Sequence, residues 1–190
     1  ANYRLGERPG WLRLLGSGVT LNEDASPTFL GRRQQHHDMS ASVTLAFNPR
    51  RDGDEAGLTA LMNGRHHYEI AVTREGGERL AIARRTIGST SVVMARRPLP
   101  GEGPVRLSIV AETPPGIGPR AHMRGDPTYV LTVAQGDGPA DEVDRAEMRY
   151  LSTEVAGGFT GVYLGMYATG NGAAASVPAD FSGFEYRPAL

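Results

Sequence analysis

Eight consecutive residues of the chain, GRRQQHHD at positions 31–38, bring guanidinium, amide, imidazole and carboxylate groups together. Such groups could bind a metal ion, transfer a proton or hold an anion. Adjacent residues of a strand point to opposite faces of a sheet, so His36 and His37 would supply at most one metal ligand to a given site, and the same holds for His66 and His67. The chain has no cysteine and no HExxH spacing. We therefore predict hydrogen-bonded histidines and no transition-metal site.

The same segment, taken as a strand, would divide its side chains between two faces. One face would carry Arg33, Gln35 and His37, and the other Arg32, Gln34 and His36. Buried amides and imidazoles commonly join strands, or the faces of two domains, by hydrogen bonds. We therefore expect a structural or inter-domain role for Arg33, Gln35 and His36.

Carboxylates offer two further kinds of site. The segment EVDRAE at 142–147 resembles the E-x-D-x-x-E pattern of retaining β-glucanases, in which two glutamates of one strand act as nucleophile and general acid. Glu142 and Glu147 would take those roles. The surrounding residues lack the β-branched and aromatic side chains of a central catalytic strand, which favours a charged connecting segment. Asp180, near a predicted final strand, could join a structural calcium site with backbone carbonyls.

The overall composition limits the classes of partner. The formal net charge of -1 removes the electrostatic reason to expect nucleic acid or an anionic membrane as a partner. No apolar run is long enough to span a bilayer. The first residues lack the regions of a secretory signal, which favours a cytoplasmic location. Without cysteine there are no disulfides, and 190 residues suit a single domain over 1–190.

The strongest hydrophobic periodicity along the chain is two. It is clearest in Ala41, Val43, Leu45 and Phe47, in Tyr68, Ile70 and Val72, in Val105, Leu107 and Ile109, and in Val162, Leu164 and Met166. Turn signals separate these runs, among them Asn63-Gly64 and the segment 114–116. Many short, half-buried strands with regular turns predict an all-β jelly-roll sandwich of two antiparallel sheets.

Five stretches, in order, resemble one family. They are RPGWLRL from Arg8, RQQH from Arg33, AGLT from Ala56, LSTEVAGGFTG from Leu151, and ADFSGFEY from Ala179. Together they resemble the C-terminal module of family 43 glycoside hydrolases of the β-xylosidase and α-arabinofuranosidase type, which is also classed as carbohydrate-binding module family 91. The resemblance covers nearly the whole chain.

The resemblance implies a concanavalin-A-like sandwich that follows an N-terminal five-bladed β-propeller in the same protein. That propeller would hold the catalytic carboxylates, so this chain alone would be inactive and would need no cofactor. The implied partners are the propeller and xylo-oligosaccharide or arabinoxylan fragments, and the parent enzyme would be a homo-oligomer.

The resemblance also implies one substrate-contacting residue, Phe159, with Gly158 and Thr160 as neighbours. In the family, a loop of the sandwich places an aromatic side chain at the mouth of the propeller's active site. A phenyl ring on a glycine-flanked loop offers an apolar face to a sugar and excludes water. The alternative is that Phe159 is the first core residue of the following strand.

Two other functions stay open at this point. One is a stand-alone jelly-roll β-glucanase that uses Glu142 and Glu147. The other is a lectin-like module that binds xylan without hydrolysing it.

Overall fold

Two antiparallel β-sheets account for most of the regular structure. The computed structural model of the chain describes residues 2–114 and 125–189. Its strands are β1 (Tyr3–Arg4), β2 (Leu12–Leu14), β3 (Thr28–Arg33), β4 (Met39–Ala46), β5 (Glu55–Asn63), β6 (His66–Glu75), β7 (Glu78–Ile87), β8 (Thr90–Pro98), β9 (Val105–Glu112), β10 (Thr128–Gln135), β11 (Asp141–Glu147), β12 (Tyr163–Thr169) and β13 (Ala179–Pro188).

The strands form a seven-stranded sheet in the order β1-β2-β13-β4-β9-β10-β11 and a six-stranded sheet in the order β3-β12-β5-β6-β7-β8. A 3-10 helix, Met148–Leu151, and a four-residue helix α1, Thr153–Ala156, connect β11 to β12. No helix in the described ranges has the length and apolar character to cross a membrane. The predicted all-β sandwich is thus confirmed. The turn expected at 114–116 lies, apart from Pro114, outside the described residues.

The main core lies between the two sheets. The alternation predicted from the sequence is confirmed, because the inward members of β4, β6 and β9 are almost entirely buried. They are Ala41, Val43, Leu45, Tyr68, Ile70, Val72, Val105, Leu107 and Ile109. Side chains of one sheet thus pack on those of the other, as the period of two requires.

The outer face of the six-stranded sheet is also buried, which the alternation did not predict. Leu21, in the connection between β2 and β3, packs there with Ala71, Ile82 and Tyr167 as a second apolar cluster. Because of this cover, Tyr167 is 1% exposed although it points away from the main core.

A buried ion cluster lies on the same outer face. Arg84 of β7 donates two hydrogen bonds to the Glu55 carboxylate of β5, at 2.8 and 2.6 Å, and one to Glu69 of β6, at 3.0 Å. The Tyr167 hydroxyl of β12 donates to Glu55 at 2.7 Å. Burial opposes the charge of Arg84, but the hydrogen bonds and charges of the two glutamates hold its pKa above the usual range. The guanidinium therefore joins three neighbouring strands of this sheet, and the Tyr167 hydroxyl adds β12 as the fourth.

Polar contacts also connect the two sheets along one side of the sandwich. The Tyr68 hydroxyl of β6 donates to the carbonyl oxygen of Glu147 at 2.8 Å. Arg85 of β7 binds the Asp144 carboxylate of β11 through two hydrogen bonds of 2.7 and 2.6 Å. These contacts fix β11 against the opposite sheet.

The N-terminal strands are attached to the last strand by Asp180. Arg13 of β2 donates to both oxygens of this carboxylate, at 2.7 and 2.9 Å, and Arg8 adds a third hydrogen bond at 3.2 Å. The hydrogen bonds from Arg13 lower the pKa of Asp180, against the opposing effect of burial. The carboxylate considered above as a calcium ligand is therefore bound by two guanidinium groups.

Gly57 of β5 faces the backbone of β6 with no room for a side chain. A Cβ at Gly57 would overlap the Ile70 carbonyl oxygen and lie 2.6 Å from the Ala71 Cα. We expect Gly57→Ala to lower the free energy of unfolding by about 1–3 kcal/mol, because the backbones must separate. Gly6→Ala, where a Cβ would meet nothing within 4 Å, is the control for chemical denaturation. Equal stability of the two variants would contradict this packing.

The Asp180 cluster predicts a pH dependence of stability. Because the folded pKa of Asp180 lies below its ordinary value of 3.8, the cluster stabilises the protein above that pH, and the stabilisation is lost as the pH falls through the folded pKa. Asp180→Asn should therefore lower the free energy of unfolding by about 1–3 kcal/mol at pH 7, and the difference from wild type should narrow below about pH 4.

The control for this measurement is Asp137→Asn, which removes an exposed turn carboxylate. Urea titrations of the three proteins from pH 7 down to pH 3 would check the prediction. If the stability difference between wild type and the Asp180→Asn variant is constant across this range, the prediction is wrong.

Candidate functional site

Phe159 lies at the tip of a glycine-rich loop, residues 157–162, between α1 and β12. Its side chain is 99% exposed. Gly157, Gly158 and Gly161 have φ angles of 73°, 81° and 74°, a left-handed region that favours glycine. The interpretation of Phe159 as the first core residue of β12 is therefore wrong, since β12 begins at Tyr163. The loop presents a phenyl ring to the outside of the molecule.

Asn63, the last residue of β5, ties the base of this loop to the six-stranded sheet. Its side-chain Nδ2 donates to the Ala156 carbonyl oxygen at 3.0 Å. Its Oδ1 accepts from the backbone N–H of Arg65 at 3.0 Å and lies 3.3 Å from the Nδ1 of His66. The turn between β5 and β6 thus orients the Asn63 side chain through its oxygen, and the side-chain nitrogen holds the end of α1.

The first half of the 31–38 motif fixes the other side of the loop. Arg33, the last residue of β3, donates to the Tyr163 hydroxyl at 3.0 Å. The backbone N–H of Gln34 donates to the Val162 carbonyl oxygen at 2.8 Å, and the Gln34 side-chain oxygen accepts from the buried Tyr129 hydroxyl at 2.6 Å. These contacts connect the loop exit to β3 and β10.

The second half of the motif converges on Tyr186 of β13. The backbone N–H groups of Gln35 and His36 both donate to the Tyr186 hydroxyl, at 3.0 and 3.2 Å, and the His36 Nδ1 lies 3.1 Å from it. The Arg32 guanidinium stacks 4.0 Å above the Tyr186 ring. Because β3 ends at Arg33, the predicted alternation of faces does not extend over residues 34–38, where the contacts with Tyr186 take the place of strand pairing.

A cavity of about 660 Å³ opens beside the base of the loop. Its lining includes Gln34–Asp38, Tyr129, Met148, Leu151, Ser152 and Val162. Met148, Leu151 and Val162 supply apolar surface, while the motif supplies amide, imidazole and carboxylate groups. Burial raises the pKa of Tyr129, so its hydroxyl stays protonated and acts as a hydrogen-bond donor. A volume of this size with mixed walls is typical of small-molecule sites.

The two glutamates of the EVDRAE segment lie on β11, the edge strand of the seven-stranded sheet, and not on a connecting segment. The pairing of β11 with β10 contains a bulge. Glu142 forms an ion pair of 3.0 Å with Arg145, and Glu147 forms one of 2.6 Å with Arg149. Charged residues are common on edge strands because they discourage pairing with another chain. Glu142 and Glu147 thus belong to two separate, half-exposed ion pairs.

The histidine pairs do not converge on a metal centre. In residues 2–114 and 125–189, no group of three or more potential metal-binding side chains comes together. The Nδ1 of His67 lies 3.1 Å from the Asn63 carbonyl oxygen, which accounts for one nitrogen of this fully buried ring. Burial lowers the pKa of His66, which favours its neutral form.

Sequence reasoning missed Asn63, Tyr129 and Tyr186 as parts of this end of the molecule. Asn63 was interpreted only as a turn residue, and its contact with Ala156 spans a distance in sequence that no local pattern reports. Tyr186 closes the last family motif, which was a signal that the residue matters without showing its partner.

Comparison with known proteins agrees with this architecture. The family described as "Beta xylosidase C-terminal Concanavalin A-like domain" matches residues 1–187. The chain is 37% identical over 185 residues to the non-reducing end alpha-L-arabinofuranosidase BoGH43B of Bacteroides ovatus, and the match covers 97% of this chain and 32% of that protein. It is 26% identical to a xylosidase/arabinosidase of Butyrivibrio fibrisolvens, and this match covers 96% of this chain and again 32% of that protein. The chain thus spans about a third of the length of these curated relatives.

A solved structure gives the same result. The structure of Bacteroides ovatus Xyloglucan PUL GH43B superposes with a TM-score of 0.88 at 36% sequence identity, and the match covers 99% of this chain and 34% of that one. Matching sequence and matching architecture extend over the same residues. The chain belongs to the family of β-xylosidase C-terminal concanavalin A-like domains found in family 43 glycoside hydrolases.

Proposed function

We propose that the chain is a non-catalytic accessory module of a glycoside hydrolase that removes xylosyl or arabinosyl units from xylan fragments. It completes the active-site pocket of an N-terminal β-propeller in the same protein, with Phe159 at the mouth of that pocket, and binds xylo-oligosaccharides only weakly by itself. The observation that carries the proposal is the 99% exposure of Phe159 on a glycine-rich loop.

Phe159 is far more exposed than the other large apolar residues at the surface of the described chain, so its whole ring is free to contact a partner. The loop is not loose, since Asn63 and Gln34 hold its two ends by hydrogen bonds. An apolar ring on such a loop is suited to packing against the C–H face of a sugar and to excluding water from a neighbouring catalytic centre. Because the two ends of the loop are held, the ring projects from a defined place at this end of the sandwich.

The ion pairs of the chain support an accessory role over a catalytic one. Hydrolysis of a glycosidic bond requires two carboxyl groups that face one sugar and are free to exchange protons. Glu142 and Glu147 are each paired with an arginine on an edge strand or directly after it. In the proposed enzyme, the propeller supplies the acid and the base.

The first prediction for this role concerns the phenyl ring. In the longer enzyme, Phe159→Ala should lower kcat/KM on an aryl β-xyloside or arabinofuranoside about tenfold, because the lost ring contact is of the order of 1.4 kcal/mol. The fold should be unaffected, since the ring buries almost no surface in the module. Steady-state kinetics together with thermal unfolding of the same preparation would check both statements.

The matched control is Leu30→Ala, which removes another exposed apolar side chain from β3, outside the loop. Its kinetics should equal those of wild type. If Phe159→Ala and Leu30→Ala have the same kcat/KM, Phe159 does not contribute to the active site.

The second prediction concerns Asn63 as a positioning residue. Asn63→Asp keeps the oxygen that faces Arg65 and His66 but loses the donor to Ala156. Hydrogen–deuterium exchange in residues 156–161 should rise, and KM should rise more than kcat falls, because a single neutral hydrogen bond of about 1 kcal/mol no longer holds the loop. The free energy of unfolding of the module should change by no more than that amount.

The comparison variant is Asn63→Ala, which removes both halves of the amide. Loop exchange should rise to a similar extent in the two variants if the Ala156 contact is the one that matters. Unchanged exchange in Asn63→Asp would show that the loop is held by other contacts.

A further inference from the structure

The end of the sandwich farthest from Phe159 contains a second cavity with a different chemistry. In the pairing of β12 with β5, Tyr163 lies opposite Leu61 and Thr169 opposite Glu55. The loop that carries Phe159 therefore lies at one end of these strands, and the beginning of β5 lies at the other. A cavity of about 650 Å³ opens at that second end, next to residues 46–50 and 74–79 and the start of β13.

This cavity carries an excess of positive charge. Its lining includes four arginines, Arg8, Arg50, Arg74 and Arg79, against two carboxylates, Glu102 and Asp180. Two positive charges are therefore in excess. Since the whole chain has a net charge of -1, this excess is a local feature.

Arg79 is the central cation of the cavity. Its guanidinium is half-buried and donates to three backbone carbonyl oxygens, those of Phe47 at 3.1 Å, Gly101 at 3.2 Å and Gly103 at 3.0 Å. Carbonyl oxygens satisfy donors but do not neutralise charge, and no carboxylate in the described part of the chain forms an ion pair with it.

Other buried arginines of the chain behave differently. Hydrogen bonds that Arg85 donates to Asp144 raise the pKa of Arg85, and two glutamates raise the pKa of Arg84. Burial instead lowers the pKa of Arg79, and the negative charge of Glu102 only partly opposes this effect. A desolvated cation that forms no ion pair favours an anion in the adjoining space.

The remaining cations are available to such an anion. Arg50 is exposed and forms no hydrogen bond or ion pair within residues 2–114 and 125–189. Among the described residues, the Arg74 guanidinium has only one long ion pair, with 3.9 Å between its Nε and the Asp52 Oδ1. Arg8 is already bound to Asp180, so Arg50, Arg74 and Arg79 are the groups left to meet a ligand.

The walls of the cavity also fit a sugar ring. Val177 and Pro178 add apolar surface beside the buried Phe47 and Leu99, and the exposed Asn48 offers an amide that can bind hydroxyl groups. The volume suffices for a sugar unit. A guanidinium binds a carboxylate through two parallel hydrogen bonds, which selects for an acidic sugar over a neutral one.

We propose that this cavity is a binding site for a uronic acid, with Arg50, Arg74 and Arg79 around its carboxylate. The module would thereby hold an acidic side group of a polysaccharide at one end and present Phe159 at the other. The inference does not depend on the role of Phe159, because it rests on residues at the opposite end of the sandwich.

The test is isothermal titration of the 190-residue chain with sodium glucuronate, with the uncharged methyl ester of glucuronic acid, and with inorganic phosphate. Glucuronate should bind saturably, and the ester and phosphate should bind at least about tenfold more weakly. Absence of saturable glucuronate binding, or equal affinity for phosphate, would overturn the assignment.

Substitutions of the cavity arginines test whether glucuronate binds in this cavity. Arg50→Gln combined with Arg74→Gln should weaken glucuronate binding about tenfold, and both positions can change without loss of a buried contact. Arg79→Gln should do the same or more, with its folding checked by thermal unfolding. Arg65→Gln, at the end of the sandwich near Asn63, is the control and should leave affinity unchanged.

Two further outcomes would also contradict the proposal. One is glucuronate binding that none of the cavity variants weakens. The other is binding by this chain that disappears in the longer enzyme, because the cavity would then be covered in the complete protein.

Discussion

The contact between Arg84 and two buried glutamates is the interaction on which the six-stranded sheet depends. Without a partner, the two buried carboxylates would be strongly destabilising, since breaking a buried ion pair costs about 3–5 kcal/mol, a large part of the stability of most domains. With Arg84 in place, β5, β6 and β7 are fixed relative to each other, and Tyr167 adds β12. Removal of the guanidinium alone would leave Glu55 and Glu69 buried and repelling each other. This destabilises a protein more than replacement of the whole cluster by apolar side chains.

The sandwich has two ends with contrasting chemistry, and the cluster reaches the one at which β5 begins, because Glu55 is the first residue of that strand. At one end, β12 begins where the Phe159 loop finishes, and the contacts of Asn63 and Gln34 hold that loop. At the other, β5 begins beside the arginine cavity. Because the sheet is held together across its width, the loops at one end can change in sequence while the strand register, and with it the loops at the other end, stays intact.

Much of the fold could be predicted from the sequence, because period-two runs such as Ala41 to Phe47 report directly on one buried face. Local patterns could not predict the burial of Tyr167, since its cover comes from Leu21, far away in the chain. For the same reason the sequence could not predict the contacts of the second half of the 31–38 motif, because its partner Tyr186 lies in the last strand. The exposed position of Phe159 followed from flanking glycines and a family resemblance, whereas its support by Asn63 required coordinates.

The near-complete exposure of Phe159 frees this position from the packing constraints that act on the rest of the sandwich. A core position can change only as far as its neighbours can repack. The tip of this loop has no such neighbours among the described residues of the module, so exchange of its side chain alters what the loop meets while leaving the folding equilibrium almost untouched. In the proposed enzyme, single substitutions at this position could therefore alter the contact with substrate, with no compensating change elsewhere in the sandwich.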